Sequence, residues 1–486
     1  MPSSLPRSRP ADQGVDPAAI LSLLDALDER SDIEMHSLMV VRHGQVVAEG
    51  WWAPYSAGRP HLLYSLSKSF TATAAAFAQA EHLLDLDDTV VSHFPEFAAD
   101  ITDPRSRSMK IRHIASMASG HAQETLGAAL ERDPEEPVRG FLLTPPERDP
   151  GTVFAYNQPC TYTLASIVQR NAEMPLTQYL RPRLFDPLGI GHVGWHTFPP
   201  GREQGFSGLH ARTEDIAKLG LLYLQQGWWE GTQLIPKEWV AEATSVQVGN
   251  SQNASPDWRQ GYGFQFWVSR HGYRGDGAFG QFCIILPDQD AVIVTTACAL
   301  DMQAMLDAVW TRLLPGFGAA SPGTASVQDQ LSSRLARLKL PPSPGAPAPE
   351  DWGQWTSGQF SVTASAAGTR APQFLPSAET SLTSIEVAPR PGGWQISLTE
   401  PGNALTFPVS SGDWTVSAHA DRHGDTIPVA ASGGWLDDQT LRAEVIFLET
   451  PHRMDITCSL LSRSADAYWR HPPLRPSKLR ELHCPS

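Results

Sequence analysis

An α+β domain followed by a smaller all-β domain is the fold class this sequence predicts, and three observations lead to it. Two β-rich runs near the start precede a long, mostly helical middle, after which strands return before a closing helix. That order is expected of one mixed sheet assembled from both ends of a domain, with helices on its faces. Breaker-rich stretches at 315–323 and 341–349 then interrupt the chain, as linkers do. From Trp352 onward, short runs alternate apolar and polar residues between Gly, Pro, Asp and Asn, the pattern of an antiparallel sandwich or small barrel. The 486 residues also exceed the size at which one core stops growing.

Residues 1–14 are rich in Pro and Ser and are expected to be disordered. The first domain is placed at 15–315. Asp16 can cap a helix with Pro17 at its first position, followed by Ile20, Leu23, Leu24 and Leu27. Ser37–Val41 and Gln45–Ala48, joined by Arg42-His43-Gly44, form a hairpin. From Ser65 the chain turns to Ser, Thr and Ala, with Leu66, Phe70 and Phe77 spaced for one helical face up to Ala80. Helices are further expected at Arg112–Met117, Gln158–Arg170, Leu176–Leu184, Thr213–Gln226, Pro236–Thr244 and Met302–Leu314, and strands at Tyr262–Val268, Phe282–Leu286 and Ala291–Thr296. A linker over 316–351 holds a short helix at Val327–Leu340, and the all-β domain spans 352–486.

A formal charge of −15 disfavours a surface that neutralises phosphates or anionic lipid, so neither nucleic acid nor membrane is an expected partner. The five cysteines lie far apart and read as buried thiols of a reducing compartment. No secretory leader or bilayer-length apolar run is visible, which makes a cytoplasmic location the expectation.

The chemistry lies in Ser65-Leu66-Ser67-Lys68. Three residues apart on a helix, a hydroxyl and an amine share one face. A serine hydroxyl is a weak nucleophile until a base removes its proton, and a lysine can do so where burial holds its pKa down. Alone the pattern also fits a capping Ser beside a solvated Lys. Further landmarks follow in order: Met109–His121 ending in Ser119-Gly120, Asp149-Pro150-Gly151 leading to Tyr156-Asn157-Gln158, Gly208–Gly220, and Gly261-Tyr262-Gly263-Phe264. Over about residues 15–315 the chain resembles the β-lactamase-related serine hydrolases, which include class C β-lactamases, penicillin-binding proteins and related esterases.

The resemblance implies a β-lactamase/transpeptidase-like fold for the first domain and an acyl-enzyme mechanism. Ser65 attacks a carbonyl, and Lys68 and Tyr156 share the proton traffic, the phenol being lowered in pKa by the nearby amine. Gln158 stands where the family has Asn and is expected to orient the substrate carbonyl or Lys68. The family's third motif, Lys-Thr-Gly or His-x-Gly, corresponds to Gly275-Asp276-Gly277, with neither Lys nor His. Gly277 permits close backbone approach, and the Ala278 and Ser65 N–H groups would form the oxyanion hole by analogy. Asp276 would repel the carboxylate of a penicillin, with Arg274 or His271 as candidate substitutes for the missing cation. The C-terminal domain is similar to the lipocalin-like domains appended to some members.

The expectation is therefore a serine hydrolase acting on a small ester or amide, without cofactor or metal. His192 and His196 have zinc-like spacing, but they lie among glycines and read as a turn. A D-amino-acid peptidase or β-lactamase is one alternative, and a non-catalytic acyl-binding protein of the same fold is another. The oligomeric state is left open.

Overall fold

The structure is a computed structural model that describes residues 4–318, 325–350, 353–356, 358–363, 379–391, 393–475 and 477–486. The chain forms two compact units: Met1–Gly50 with Leu62–Arg337 and the last two residues, and Trp51–His61 with Leu338–Cys484.

In the first unit, helix α1 (Pro17–Asp28) starts as its sequence predicts, with the Asp16 side chain accepting from Ala18 N at 2.9 Å. Strands β1 (Ile33–Arg42) and β2 (Gln45–Trp51) make the hairpin. Helix α2 (Ser67–Ala80) is buried over most of its length, as its small residues require. Helices α3 (Ile111–Ala115), α4 (Gln158–Ala172) and α5 (Thr213–Leu224) follow. Strands β3 (Trp267–Val268), β4 (Tyr273–Gly277), β5 (Gln281–Leu286) and β6 (Ala291–Ala299) return the chain to the sheet. The sheet order is β3-β4-β5-β6-β1-β2, with β1 antiparallel to β6, so both ends of the domain meet in its middle. Helices α6 (Met302–Ala308) and α7 (Ala325–Leu335) close the unit, and α7 packs on α1.

Four local expectations are corrected. Residues 4–14 are held in place: Leu5 is buried with its N–H on Glu214, and Arg7 pairs with both Glu49 and Glu214. Two carboxylates distant in sequence supply an anchor that local composition does not reveal. The strand expected over Tyr262–Val268 is confined to Trp267–Val268, because Gly261 and Gln265 take left-handed φ of 105° and 59° and break the extended run. The helix expected to continue to Leu314 widens into a π turn at Val309–Leu313. Helix α7 stops at Leu335 and belongs to the first unit rather than to a free linker; Leu331, its one buried residue, is the anchor. Residues 319–324 and 351 of that expected linker, Trp352 at the start of the expected all-β domain, and Met1–Ser3 lie outside the described residues.

The second unit contains strands β7 (Phe360–Thr363), β8 (Ser384–Arg390), β9 (Gly393–Glu400), β10 (Asn403–Val409), β11 (Thr415–Ala420), β12 (Thr426–Asp437), β13 (Thr440–Phe447), β14 (Arg453–Ser459) and β15 (Ser464–His471). They form one sheet in the order β10-β9-β8-β7-β15-β14-β13-β12-β11. A bridge from Ser410, just past edge strand β10, to Ser432 in β12 draws the two sides of the sheet together, so the sheet is barrel-like. Leu441, Ala443, Val445 and Phe447 alternate into its core with Trp355, Trp394 and Trp435. Residues 51–61 join this unit: Ala53 N donates to Leu338 O at 3.0 Å, Leu340 N to Ala53 O at 2.8 Å, and Tyr55 Oη to Thr450 O at 3.1 Å. Nothing in the local sequence marks that excursion.

Candidate active site

Ser65 lies in a 3-10 turn, Tyr64–Leu66, that runs directly into α2, so Lys68 is the second residue of the helix. With three residues per turn, i and i+3 eclipse, and Lys68 Nζ stands 2.9 Å from Ser65 Oγ. The same amine is 2.8 Å from Gln158 Oε1 and 2.7 Å from the Phe206 carbonyl, and lies over the Tyr156 ring at 4.8 Å from its centroid. Lys68 is 1% exposed. Burial pushes its pKa down to about 7, against the opposing charges of Glu124 and Asp276.

Two of the three amine contacts are carbonyl oxygens, which can only accept. A neutral Lys68 therefore commits both N–H bonds to Gln158 and Phe206 and turns its lone pair to Ser65. Gln158 is thus in contact with the amine, one of the two partners the sequence suggested for it.

Tyr156 is partly exposed, but its hydroxyl hydrogen-bonds Ser65 in the buried end of the cleft. Its ring stacks on Trp267 at 5.3 Å and meets Tyr262 edge-on. The expected lowering of its pKa is overturned: burial pushes the phenol well above its usual range, and the hydrogen bond to Ser65 only moderates this. Desolvation is the largest influence on the phenol, and the amine, its own pKa pushed down to about 7, is only about half charged at neutral pH. The phenol thus keeps its proton at neutral pH.

Tyr156 is placed by the preceding turn. Gly151 has φ of 91°, and a Cβ there would fall 3.1 Å from His113 Nε2. Its N–H bonds Ala118 O, and Ala155 N and Asn157 N bond the carbonyl and sulfur of Met117. The landmark segment 109–121 is thus the bed on which 151–157 lies. Asn157 is buried and holds Thr125 through its Oδ1.

Strand β4 runs hard against the nucleophile turn. A Cβ on Gly277 would sit 2.1 Å from Leu63 O, and one on Gly275 would sit 2.3 Å from Leu66 Cδ1. Ala278 follows where the strand ends. By alternation Arg274 and Asp276 point to the other face. There the guanidinium holds the carboxylate at 2.9 Å and also bonds Asp257 O and Ser269 Oγ, while stacking over Trp258. Burial raises the Asp276 pKa to about 6 and Arg274 pulls it back. Arg274 is therefore paired with Asp276 rather than placed as the missing cation, and His271 packs on Trp310.

Sequence reasoning missed the Phe206 carbonyl, since a main-chain acceptor has no residue signature, and Glu124, whose carboxylate accepts from Leu126 N and Gln158 N. His196 lies edge-on to His210, and among the described residues no group of three or more His, Cys, Asp or Glu is arranged to hold a metal.

The family model described as Beta-lactamase matches residues 22–314, more than half of the chain. The chain belongs to the beta-lactamase family. It is a hydrolase of that family's serine type. It is 28% identical over 313 residues to the 6-aminohexanoate-dimer hydrolase of Paenarthrobacter ureafaciens, covering 57% of this chain and 78% of that one. It is 22% identical over 161 residues to a Beta-lactamase of Yersinia enterocolitica, covering 32% of this chain and 40% of that one. Among solved structures, EstCE1, a hydrolase with promiscuous acyltransferase activity, aligns at 18% identity with a TM-score of 0.49, covering 60% of this chain and 98% of that one.

Proposed function

We propose that this family member hydrolyses small esters or amides through an acyl-Ser65 intermediate and is not adapted to β-lactams. The observation that carries the reading is the Lys68 amine, buried and held by two carbonyls with its remaining contact on Ser65 Oγ.

The chemistry follows from that arrangement. Lys68 takes the Ser65 proton as Oγ bonds to the substrate carbonyl carbon. The oxyanion is met by backbone N–H groups of Ser65 and Ala278, where β4 and the nucleophile turn abut. Tyr156, held as the phenol, gives its proton to the departing alcohol or amine. Water then attacks the acyl carbon, its proton passing to the Tyr156 phenolate, and Ser65 leaves with the proton that Lys68 held, so that both groups return to their starting forms.

Substrate preference follows from β4. Its only cation, Arg274, is fully buried and committed to Asp276, Asp257 and Ser269, so the strand offers a substrate carboxylate nothing to pair with. Asp276 and Glu124 add negative charge near the amine. Both features favour neutral or cationic acyl donors over penicillins and D-amino-acid peptides. The relative named for hydrolysis of a 6-aminohexanoate dimer is in keeping with a linear amide.

A fluorophosphonate probe should label Ser65, and Ser65→Ala should abolish labelling and lower p-nitrophenyl ester turnover on the order of 10⁴-fold. Full turnover by that variant would sink the reading. Nitrocefin should be roughly 10- to 100-fold poorer than the ester in kcat/KM, the worth of one charge-assisted contact. An adduct that forms and never releases, seen by intact mass, would favour an acyl-binding protein instead.

A further inference from the structure

The segment between α5 and the third-motif strand β4 carries a residue that the mechanism above does not use. Gln265 is 2% exposed and keeps a left-handed φ of 59°. A non-glycine residue pays for that conformation only where its surroundings over-determine it, and here they do.

Its backbone N–H donates to Ala115 O at 3.1 Å, and its side-chain Nε2 donates to Ala115 O at 2.7 Å and to Ile114 O at 3.3 Å. Its Oε1 accepts from Thr161 Oγ1 at 2.7 Å, and its carbonyl accepts from Ser69 Oγ at 3.0 Å. Each partner sits beside a different part of the reacting constellation. Ser69 follows Lys68 in α2. Thr161 is one turn beyond Gln158 in α4. Ala115 ends α3, where helix carbonyls lack intrahelical partners, and leads into Met117 and Ala118, which hold the Tyr156 segment. Two residues on, Trp267 stacks on the Tyr156 ring.

We propose that Gln265 is the positioning residue that sets the mutual geometry of Lys68, Gln158 and Tyr156. One residue ties three separately folded segments, its side chain holding α3 and α4 and its main-chain carbonyl holding α2, so it fixes the distance from amine to hydroxyl to phenol while touching none of them. The proposal rests on the acylating role of Ser65 given above.

The test compares the full-length wild type with Gln265→Gly, which removes the three side-chain bonds yet suits the backbone conformation. p-Nitrophenyl ester kinetics should show kcat lowered about 10- to 100-fold, the scale of a small misplacement of reacting groups, with KM within about threefold because binding surfaces are untouched. The acid limb of the kcat/KM profile should move alkaline as Lys68 gains water. Thr161→Val cuts only the α4 tie and should lower kcat about threefold, a fraction of the full misplacement effect. It decides the question if the glycine variant does not fold. An unchanged kcat and acid limb in the folded variants would overturn the proposal. A wild type that is never labelled or acylated would instead overturn the functional reading.

Discussion

At pH 7 the Lys68 amine sits near the middle of its own titration, and two consequences follow at the scale of that residue. If neutral Lys68 is the base, kcat/KM for an uncharged ester should rise with pH along a limb centred near 7, and Lys68→Arg, which cannot be deprotonated, should lose about 10²- to 10⁴-fold. A flat profile from pH 5.5 to 8 would argue against it. Stability should respond in a defined direction. The folded amine has a pKa of about 7 and the unfolded one 10.5, so between these values the unfolded chain binds more protons and wild-type stability climbs with pH. The melting-temperature difference between Lys68→Met and wild type should therefore move in favour of wild type from pH 7 to pH 10. Ser65, Lys68 and Tyr156 were legible in the sequence because each is a side chain with its own chemistry at a recognisable spacing. The direction of the Tyr156 pKa was not, since it depends on the depth of burial, and Phe206 contributes a main-chain oxygen that any residue would carry.

Elements hold these groups together by contact at van der Waals limits. The third-motif strand is the clearest case, because Gly275 and Gly277 let it lie directly on the nucleophile turn. Gly277→Ala should place a methyl against the Leu63 carbonyl, which is main chain and cannot rotate away. The expected result is a loss of about 1–3 kcal/mol in urea unfolding, together with slower fluorophosphonate labelling, as β4 is pushed off the turn. Wild-type values in both measurements would show that the turn yields. Helix α2 and hairpin β1–β2 were readable from periodicity and turn residues. The 261–267 segment was not, because its aromatic, β-prone residues read as a strand, whereas the φ values that bend it depend on bonds to α2, α3 and α4. The same limit applies to Arg274, since alternation along a strand gives its face but not its partner.

On the scale of the molecule, the order of landmarks and the shift to alternating β runs gave the two-part organisation, but the course of the chain between the parts was hidden. Residues 51–61 contain no breaker cluster comparable to 341–349, yet they belong to the unit built from Leu338–Cys484. Trp52 and Tyr55 are only 4% and 7% exposed. A chain ending at Arg337 should therefore bind a hydrophobic dye and lose solubility. A well-behaved monomer of that length, with no dye binding, would show that the excursion tolerates the loss of its partners. This placement also constrains how the protein is made. The Trp51–His61 stretch leaves the ribosome about 280 residues before Leu338, where the rest of its unit begins, a delay on the order of 15–60 s at about 5–20 residues per second. Throughout that interval an apolar stretch of the later-made unit waits without its partners. Attenuated translation or chaperone shortage should thus be felt first as aggregation of nascent chains that have already folded much of their hydrolase unit.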